Sequence, residues 1–342
     1  MQTVHSPAIW QQLPLIVKAY QLPDNKKAIV QSITSFGPFL AIWVVMYLTL
    51  DVSLWLTMGL ALVNAFFLVR IFIIQHDCGH QSFTASRKAN DLLGQISSFM
   101  TFIPYKYWSK SHNFHHGHNG LLWEYRDIGD VDLLTVNEYK ALDAWGRIKY
   151  RIYRSTPVMF FIGPIWYILV HSRLPLIKMS GWEHARKSLL RHNVILISIY
   201  AALVYFLGYE AFVYIQLPIL VAFGVIAIWF FYVQHQHEST YKQWKEKWEY
   251  VKAAVEGSTF YNLPRVFHWL TGNIGYHHIH HLNPLVPSYQ LPRCYEENPI
   301  LEQMANKITF FESLKCVFNN LWDEDQQKMI SFREFSRRYV NQ

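Results

Sequence analysis

The sequence predicts an all-α integral membrane protein: four transmembrane helices arranged as two hairpins, joined to a cytosolic helical cap. Three observations predict it. Of the 342 residues, 51% are hydrophobic and only 16% are charged, against roughly 25% charged in soluble domains. The apolar residues fall in long runs, as bilayer spans require. Lys and Arg are absent from the connection inside each hairpin and crowd the remaining connections, the asymmetry that marks cytoplasmic loops.

Residues 1–38 lack a basic start, an apolar stretch and a small-residue cleavage site, so no signal peptide is expected. Within residues 1–34, Trp10, Leu13, Leu15 and Ile16 mix with Lys18, Lys26 and Lys27, which predicts a strip lying on the membrane surface. Residues 35–50 and 53–75 are predicted as the first hairpin, with Asp51 and Val52 at its tip. Residues 193–207 and 211–234 repeat the arrangement around Gly208, Tyr209 and Glu210. At a rise of about 1.5 Å per residue, the second member of each pair is ~35 Å long, enough for a hydrocarbon core of ~30 Å.

The two tips hold no Lys or Arg, whereas residues 76–157 hold ten, 171–192 five and 235–342 twelve. Both tips are therefore expected outside the cell membrane and both termini in the cytoplasm. Segments 76–192 and 235–342 form the predicted cap of a single domain, 1–342. A fifth apolar stretch, residues 157–170, is short and broken by Gly163 and Pro164. Crossing there would part the histidine groups described next, so an interfacial or re-entrant segment is expected, and residues 91–105 are read the same way. Apolar periodicity around residues 310–321 predicts a helix beneath the cap.

Cys78, Cys294 and Cys316 are scattered and give neither a disulfide framework nor a zinc spacing. The net charge of +7 comes without an aromatic-interleaved basic stripe, so no nucleic-acid partner is expected.

Histidine is the anomaly. Of 17 histidines, twelve fall in four tight groups: His76/His80, His112/His115/His116/His118, His235/His237 and His277/His278/His280/His281. His76 and His80 sit where the second span leaves the bilayer, and positions i and i+4 share one helix face. His112, His115 and His116 lie at i, i+3 and i+4, and His277, His280 and His281 repeat that spacing. An exposed His-rich turn explains one such cluster but not two copies. His235, at the end of the fourth span, mirrors His76. Satisfied or exposed side chains are the better reading for His118, His237 and His278.

Nine imidazoles exceed what one ion takes, since structural zinc uses four ligands and catalytic zinc three plus water. Two ions with four or five imidazoles each fit the count, and imidazole by itself leaves iron, copper, nickel and zinc open. Ligating histidines usually donate their other ring N–H to a carboxylate or carbonyl. Asp77, Asp127, Asp130, Asp132 and Glu238 are candidate acceptors, and Asn273, four residues before His277, is a candidate for holding a metal-bound water.

The run HDCGH (His76–His80), then HNFHH, then HHIHH resembles the three histidine boxes of the membrane fatty acid desaturase superfamily. From Leu48 to about Phe332 the chain is especially similar to bacterial acyl-lipid desaturases of the Bacillus type, through segments such as RIFIIQHDCGHQSF, YVKAAVEGSTFYNLP and WLTGNIGYHHIHHLNPLVPSYQL. The resemblance implies a di-iron site beneath a cytosolic cap, held by His76, His80, His112, His115, His116, His235, His277, His280 and His281. Relatives reading HHxxH in the third box use the position of His278 rather than His280. That box begins with His277 rather than Gln, unlike front-end desaturases, and there is no HPGG haem motif of a fused cytochrome b5.

The expected reaction is O2-dependent introduction of a cis double bond into phospholipid acyl chains. Trp55, Phe66, Phe67, Phe72, Trp229 and Phe230 are candidates for lining an acyl tunnel, although lipid-facing packing suits each better. Electrons are expected from a separate ferredoxin or flavodoxin, with Lys106, Lys110, Lys149, Arg151 and Arg154 as candidate docking charges; a solvated or headgroup-binding face is the blander reading of these. The same boxes serve hydroxylases and ketolases. A metal transporter or a haem-bearing electron carrier would place histidines within the spans, which carry only Arg70.

Overall fold

The computed structural model describes residues 7–339, which are predominantly helical. The ends of the predicted surface strip and of the cap, residues 1–6 and 340–342, lie outside the described residues. In chain order the helices that position the site are α1 (Pro7–Lys18), α2 (Asn25–Leu48), α3 (Leu54–Gly79), α4 (Arg87–Thr101), α5 (Tyr105–His118), α6 (Val136–Ala141), α7 (Ala144–Tyr153), α8 (Gly163–Leu169), α9 (Glu183–Leu207), α10 (Leu217–His235), α11 (Tyr250–Glu256), α12 (Arg265–Leu270) and α13 (His277–Leu282).

Among the described residues, four helices are long and apolar enough to cross a membrane: α2, α3, α9, and α10 with the π-helical turn Ala211–Gln216 that precedes it. Their surfaces agree with their composition, since Val44 and Leu48 on α2 and Val194, Ile197 and Phe206 on α9 stand exposed. An apolar belt left bare by the protein needs a hydrocarbon solvent. Three of these helices outrun the stretches predicted from hydropathy. Hydropathy marks the part of a helix that lipid covers, while capping and the hydrogen-bond ladder decide where the helix ends. Asp24 starts α2 by accepting the N–H groups of Lys26 and Lys27, well before residue 35. Ser53 caps α3 at Leu56 N, and α3 runs on without a break through His76 to Gly79.

The predicted strip at residues 1–34 divides in two. From Asn25 it belongs to α2, while α1 turns Leu13 and Val17 into a core with Ile279 and Leu282 of α13. Leu15 remains exposed on the opposite side.

Helix α4 covers α3 with an unusual face. Asn90, Gly94, Ser97, Ser98 and Thr101 are buried, whereas Leu92 and Ile96 point outward. Small polar residues inside and apolar ones outside suit a helix packed within or against lipid. Gly94 matters for a specific reason. A Cβ there would lie 2.3–2.7 Å from the ring of Tyr105, whose hydroxyl donates to Cys78 O at 2.8 Å, inside the first histidine box. Gly94→Ala is expected to cost about 1–3 kcal/mol through overpacking. A lower melting temperature in detergent checks it, and an unchanged one would show that Tyr105 moves freely.

The broken apolar stretch at residues 157–170 forms a π-helical turn, Val158–Ile162, followed by α8, bent by 54° from α7. It packs on α10, where Gly224 faces Pro164 and Ile168. Arg154, just before it, is buried. Its Nη2 donates to Tyr232 Oη at 2.9 Å, Gln236 Oε1 at 3.2 Å and Asn319 O at 2.7 Å. This cation fastens α7 to α10 and the C-terminal segment, and is unavailable for docking.

Two expectations need correction. Rather than all-α, the mostly helical cap contains, among the described residues, three two-stranded ribbons. Two are parallel (Leu121–Leu122 with Gln243–Trp244, Thr259–Asn262 with Asn306–Thr309) and one is antiparallel (Leu321–Asp323 with Lys328–Ile330). Strands of two to four residues are too short for alternation to register. The helix predicted around residues 310–321 is one α-turn, Phe310–Ser313, then a 3-10 turn, Leu314–Phe318, before the chain extends at Leu321. Its Phe311 and Phe318 are exposed, while Cys316 and Val317 join a core with Tyr232 and Tyr261, so only part of the apolar pattern there faces inward.

Candidate metal centre

Four elements deliver the histidines. His76 lies in the last turn of α3 and His80 is its C-cap residue. His112, His115 and His116 project from α5, His235 ends α10, and His277, His280 and His281 belong to α13. All nine rings are buried.

They gather in two adjoining sets. His76, His80, His112, His116 and His280 each present a ring nitrogen within 4.8 Å of the others, and His115, His235 and His281 do the same. His277 joins the second set, its Nε2 lying 2.9 Å from His235 Nε2 and 3.1 Å from His281 Nε2. In the first set His116 Nε2 is 3.1 Å from His112 Nε2 and 2.9 Å from His280 Nε2. The sets touch where His116 stacks on His281, with ring centroids 4.2 Å apart.

Helix geometry explains the division. Residues i and i+4 differ by about 40° around the axis, and i+3 stands about 100° from i+4. Each three-histidine box therefore gives its i,i+4 pair to one set and its middle ring to the other. His112 and His116 go to the first set and His115 to the second; His277 and His281 go to the second and His280 to the first.

The chemistry of the donors fits cations. Burial drives the imidazoles of His80, His112, His116, His277, His280 and His281 well below their ordinary pKa, and neighbouring rings push them further. Burial likewise takes His115 down to about 4, against the opposing pull of Asp130. These seven rings are thus neutral, with lone pairs to offer. Facing Nε2 atoms that both carry lone pairs repel unless something positive lies between them. His76 Nε2 and His80 Nε2 are buried with no hydrogen-bond partner in the structure, a costly arrangement unless a ligand satisfies them.

The outer contacts differ in quality. Asp77 Oδ1 is 2.9 Å from His76 Nδ1, and Asp77 Oδ2 accepts Ser288 N–H at 2.7 Å. Gly257 O lies 3.1 Å from His235 Nδ1. Asp130 Oδ2 stands 3.6 Å from His115 Nδ1, ion-pair range rather than a hydrogen bond. Asp127 is exposed and Glu238 pairs with Lys328 at 3.2 Å. Asp132 is half-buried, and its carboxyl pKa is raised by that burial. Asn273 directs its amide to Ser288 O at 3.2 Å, two links away from His76 through Ser288 and Asp77.

The other three histidines of the four groups lie outside both sets. His118 bonds Phe114 O at 2.8 Å and packs against both Phe114 and Trp123, which also stack on each other. His278 faces Phe260 and Tyr295, and His237 is buried; burial lowers each of these two to about 3. Cys78, inside the first box, turns its thiol toward Asn90 at 3.9 Å.

Sequence reasoning missed three parts of the site. The Gly257 carbonyl and the Ser288 amide left no signal, because any residue supplies them. Trp108 did leave one. It stands four residues before His112 and stacks on it at 4.6 Å, while Phe72 packs against Trp108 at 5.0 Å. Of the tunnel candidates, Phe72 thus lies one ring away from His112, behind Trp108, whereas Trp55 is 87% exposed at the far end of α3. Among the docking candidates, Lys106 pairs with Asp91, Lys110 donates to Gly181 O, Lys149 lies over Trp145, and Arg151 donates to Tyr139 Oη at 2.7 Å.

A helical membrane protein whose buried imidazoles form two abutting metal-competent cages is the class that fold and site define. The sequence model of the fatty acid desaturase family matches residues 53–311, and the chain belongs to that family. It is 42% identical over 323 residues to a fatty acid desaturase of Bacillus subtilis (strain 168), covering 94% of this chain and 91% of that one. It is 26% identical over 245 residues to the sn-1 oleoyl-lipid 12-desaturase of Synechocystis sp., with 69% and 65% covered. Over 273 residues it is 26% identical to the sn-1 acyl-lipid omega-3 desaturase (ferredoxin) of Nostoc sp. (strain 36), with 74% and 69% covered.

Proposed function

We propose that this chain is an O2-dependent desaturase that introduces a cis double bond into acyl chains esterified in membrane lipid. The carrying observation is the convergence of nine buried imidazoles into a set of five and a set of four. In this reading His76, His80, His112, His116 and His280 hold one iron, and His115, His235, His277 and His281 the other.

Methylene hydrogens are unactivated, so acid–base groups cannot remove them; iron with O2 and two electrons supplies the required oxidant. The balanced change is CH2–CH2 plus O2, two electrons and two protons giving CH=CH and two waters. The chain's own residues contribute position and dryness. Asp77 fixes the tautomer and angle of His76, and the Gly257 carbonyl does so for His235. Phe72, Trp108 and Phe223 form an apolar wall next to His76 and His112, suited to a hydrocarbon chain. The name of the Nostoc relative supports ferredoxin as electron donor; flavodoxin is the alternative. In this reading the cap, residues 76–192 and 235–342, and both termini lie on the cytoplasmic side of the membrane, within one domain.

Expression in a host without such an enzyme, followed by methyl-ester analysis with double-bond localisation, tests this. New monounsaturated or further unsaturated species are expected. Products that gain oxygen instead would favour a hydroxylase or ketolase. No new product from an iron-loaded, reductant-supplied protein would end the reading.

A further inference from the structure

Arg70 is a cation in the middle of an apolar helix, and the metal centre makes no use of it. Its Nε donates to Ser35 Oγ at 3.2 Å and its Nη2 to Thr34 Oγ1 at 3.4 Å, both on α2. Its Nη1 donates to the carbonyl of Trp269, in the last turn of α12, and its guanidinium lies 4.0 Å above the Trp269 ring. Neighbouring contacts run alongside: Phe66 meets Phe267 and Phe67 meets Trp269, each with centroids 6.1 Å apart. Gly272, in the left-handed region at φ +56°, lets the chain leaving α12 press against Ile73, where a Cβ would come within 2.8 Å.

The depth of these contacts is informative. Arg70 precedes His76 by six residues, so it lies about 9 Å further along α3, away from the histidine end. On the antiparallel α2 the matching level is Ser35, and Ile29, Val30 and Ile33, nearer the histidine end, are still exposed and apolar. The lipid-facing belt of α2 therefore extends about 9 Å past the level of Arg70 before Lys26 and Lys27 close it. Helix α12 docks inside that belt and shows apolar side chains outward, with Val266 57%, Phe267 40% and Trp269 44% exposed. Its inward residue, His268, stacks on Phe260 and Tyr276.

We propose that α12 is a wedge immersed in the hydrocarbon of the leaflet on the histidine side, pinned there by Arg70, rather than part of the water-exposed cap. Backbone carbonyls at that depth have no water to bond, and Arg70 supplies a donor at the end of the helix where carbonyls are left open. The satisfied, stacked guanidinium also explains how a charge is tolerated in a span. Arg265, exposed at the start of α12, is placed to reach headgroups. The occupant of this face is lipid acyl chain; it is continuous with the bare belt of α2 and α3. The inference rests on α3 spanning the bilayer and is independent of the reaction.

The test uses the full iron-loaded chain in phosphatidylcholine–phosphatidylglycerol vesicles. Nitroxide labels are placed by Val266→Cys and Phe267→Cys, with Val44→Cys as the lipid reference and Lys245→Cys as the water reference. The native Cys78, Cys294 and Cys316 are buried and should resist labelling. Collision with oxygen should exceed collision with a water-soluble nickel chelate at 266 and 267, as at 44 and opposite to 245. Nickel-dominated relaxation at both sites would overturn the wedge, as would shielding from both reagents, which would mean a protein partner or second copy covers it. Adding Arg70→Gln to Phe267→Cys should move the ratio toward that of 245. No movement would remove Arg70 as the pin.

Discussion

Alanine in place of His280 is expected to abolish desaturation while the protein still inserts into membranes. His280 is the one ring that α13 contributes to the five-membered set, and its Nε2 is 2.9 Å from that of His116. Losing residues one shell outside a metal typically costs about 10–100-fold in affinity or activity, so loss of a ligand should exceed about 100-fold. His115→Ala, which takes the single α5 ring from the second set, should do the same. Methyl-ester analysis reads the activity and resistance to alkaline extraction reads the insertion. Full activity in either variant would strike that residue from the ligand set. His278→Ala provides the contrast: a buried ring outside both sets, its loss should lower stability by about 0.5–3 kcal/mol yet leave iron bound.

Asp77→Asn should cost about 10–100-fold in iron affinity or turnover, although it changes size little. The carboxylate works with both oxygens, Oδ1 on His76 Nδ1 and Oδ2 on the Ser288 amide. An asparagine has one acceptor, so either the imidazole or the amide then meets an NH2 group. Ser288 also receives Asn273 through its carbonyl, so the variant should loosen the loop that leads out of the third box. Iron retention against a competing chelator, measured beside turnover, checks both effects. Wild-type values in the two assays would show that Asp77 merely fills space.

Much of the site was legible because it is written in helical periodicity. His76/His80, His112/His115/His116 and His277/His280/His281 repeat spacings that a helix converts into a shared face, and those residues do lie on or cap helices. That each box's i,i+4 pair parts from its middle ring follows from helix geometry, but which set each pair joins was not legible. It depends on how α5 and α13 are rotated against one another, a long-range packing matter with no local signature. The packing around the site was equally hidden, because it rests on the missing Cβ of Gly94, which lets α4 close on Tyr105 of α5, and on backbone groups such as Gly257 O, which meets His235 of α10. Arg154 was misread for a related reason. A basic residue in a basic segment looks exposed until Tyr232, Gln236 and Asn319, distant in sequence, close around it. The short ribbons of the cap and the break after Ser313 fell below the length at which any period can be counted.

Metal stoichiometry combined with iron-edge X-ray absorption of the purified, iron-loaded chain tests the two-cage centre most directly. Two irons per chain are predicted, with nitrogen and oxygen neighbours near 2.0–2.1 Å, the usual metal–imidazole distance. No sulfur shell is expected, since the Cys78 thiol faces Asn90. One iron per chain, or a sulfur neighbour at about 2.3 Å, would contradict it.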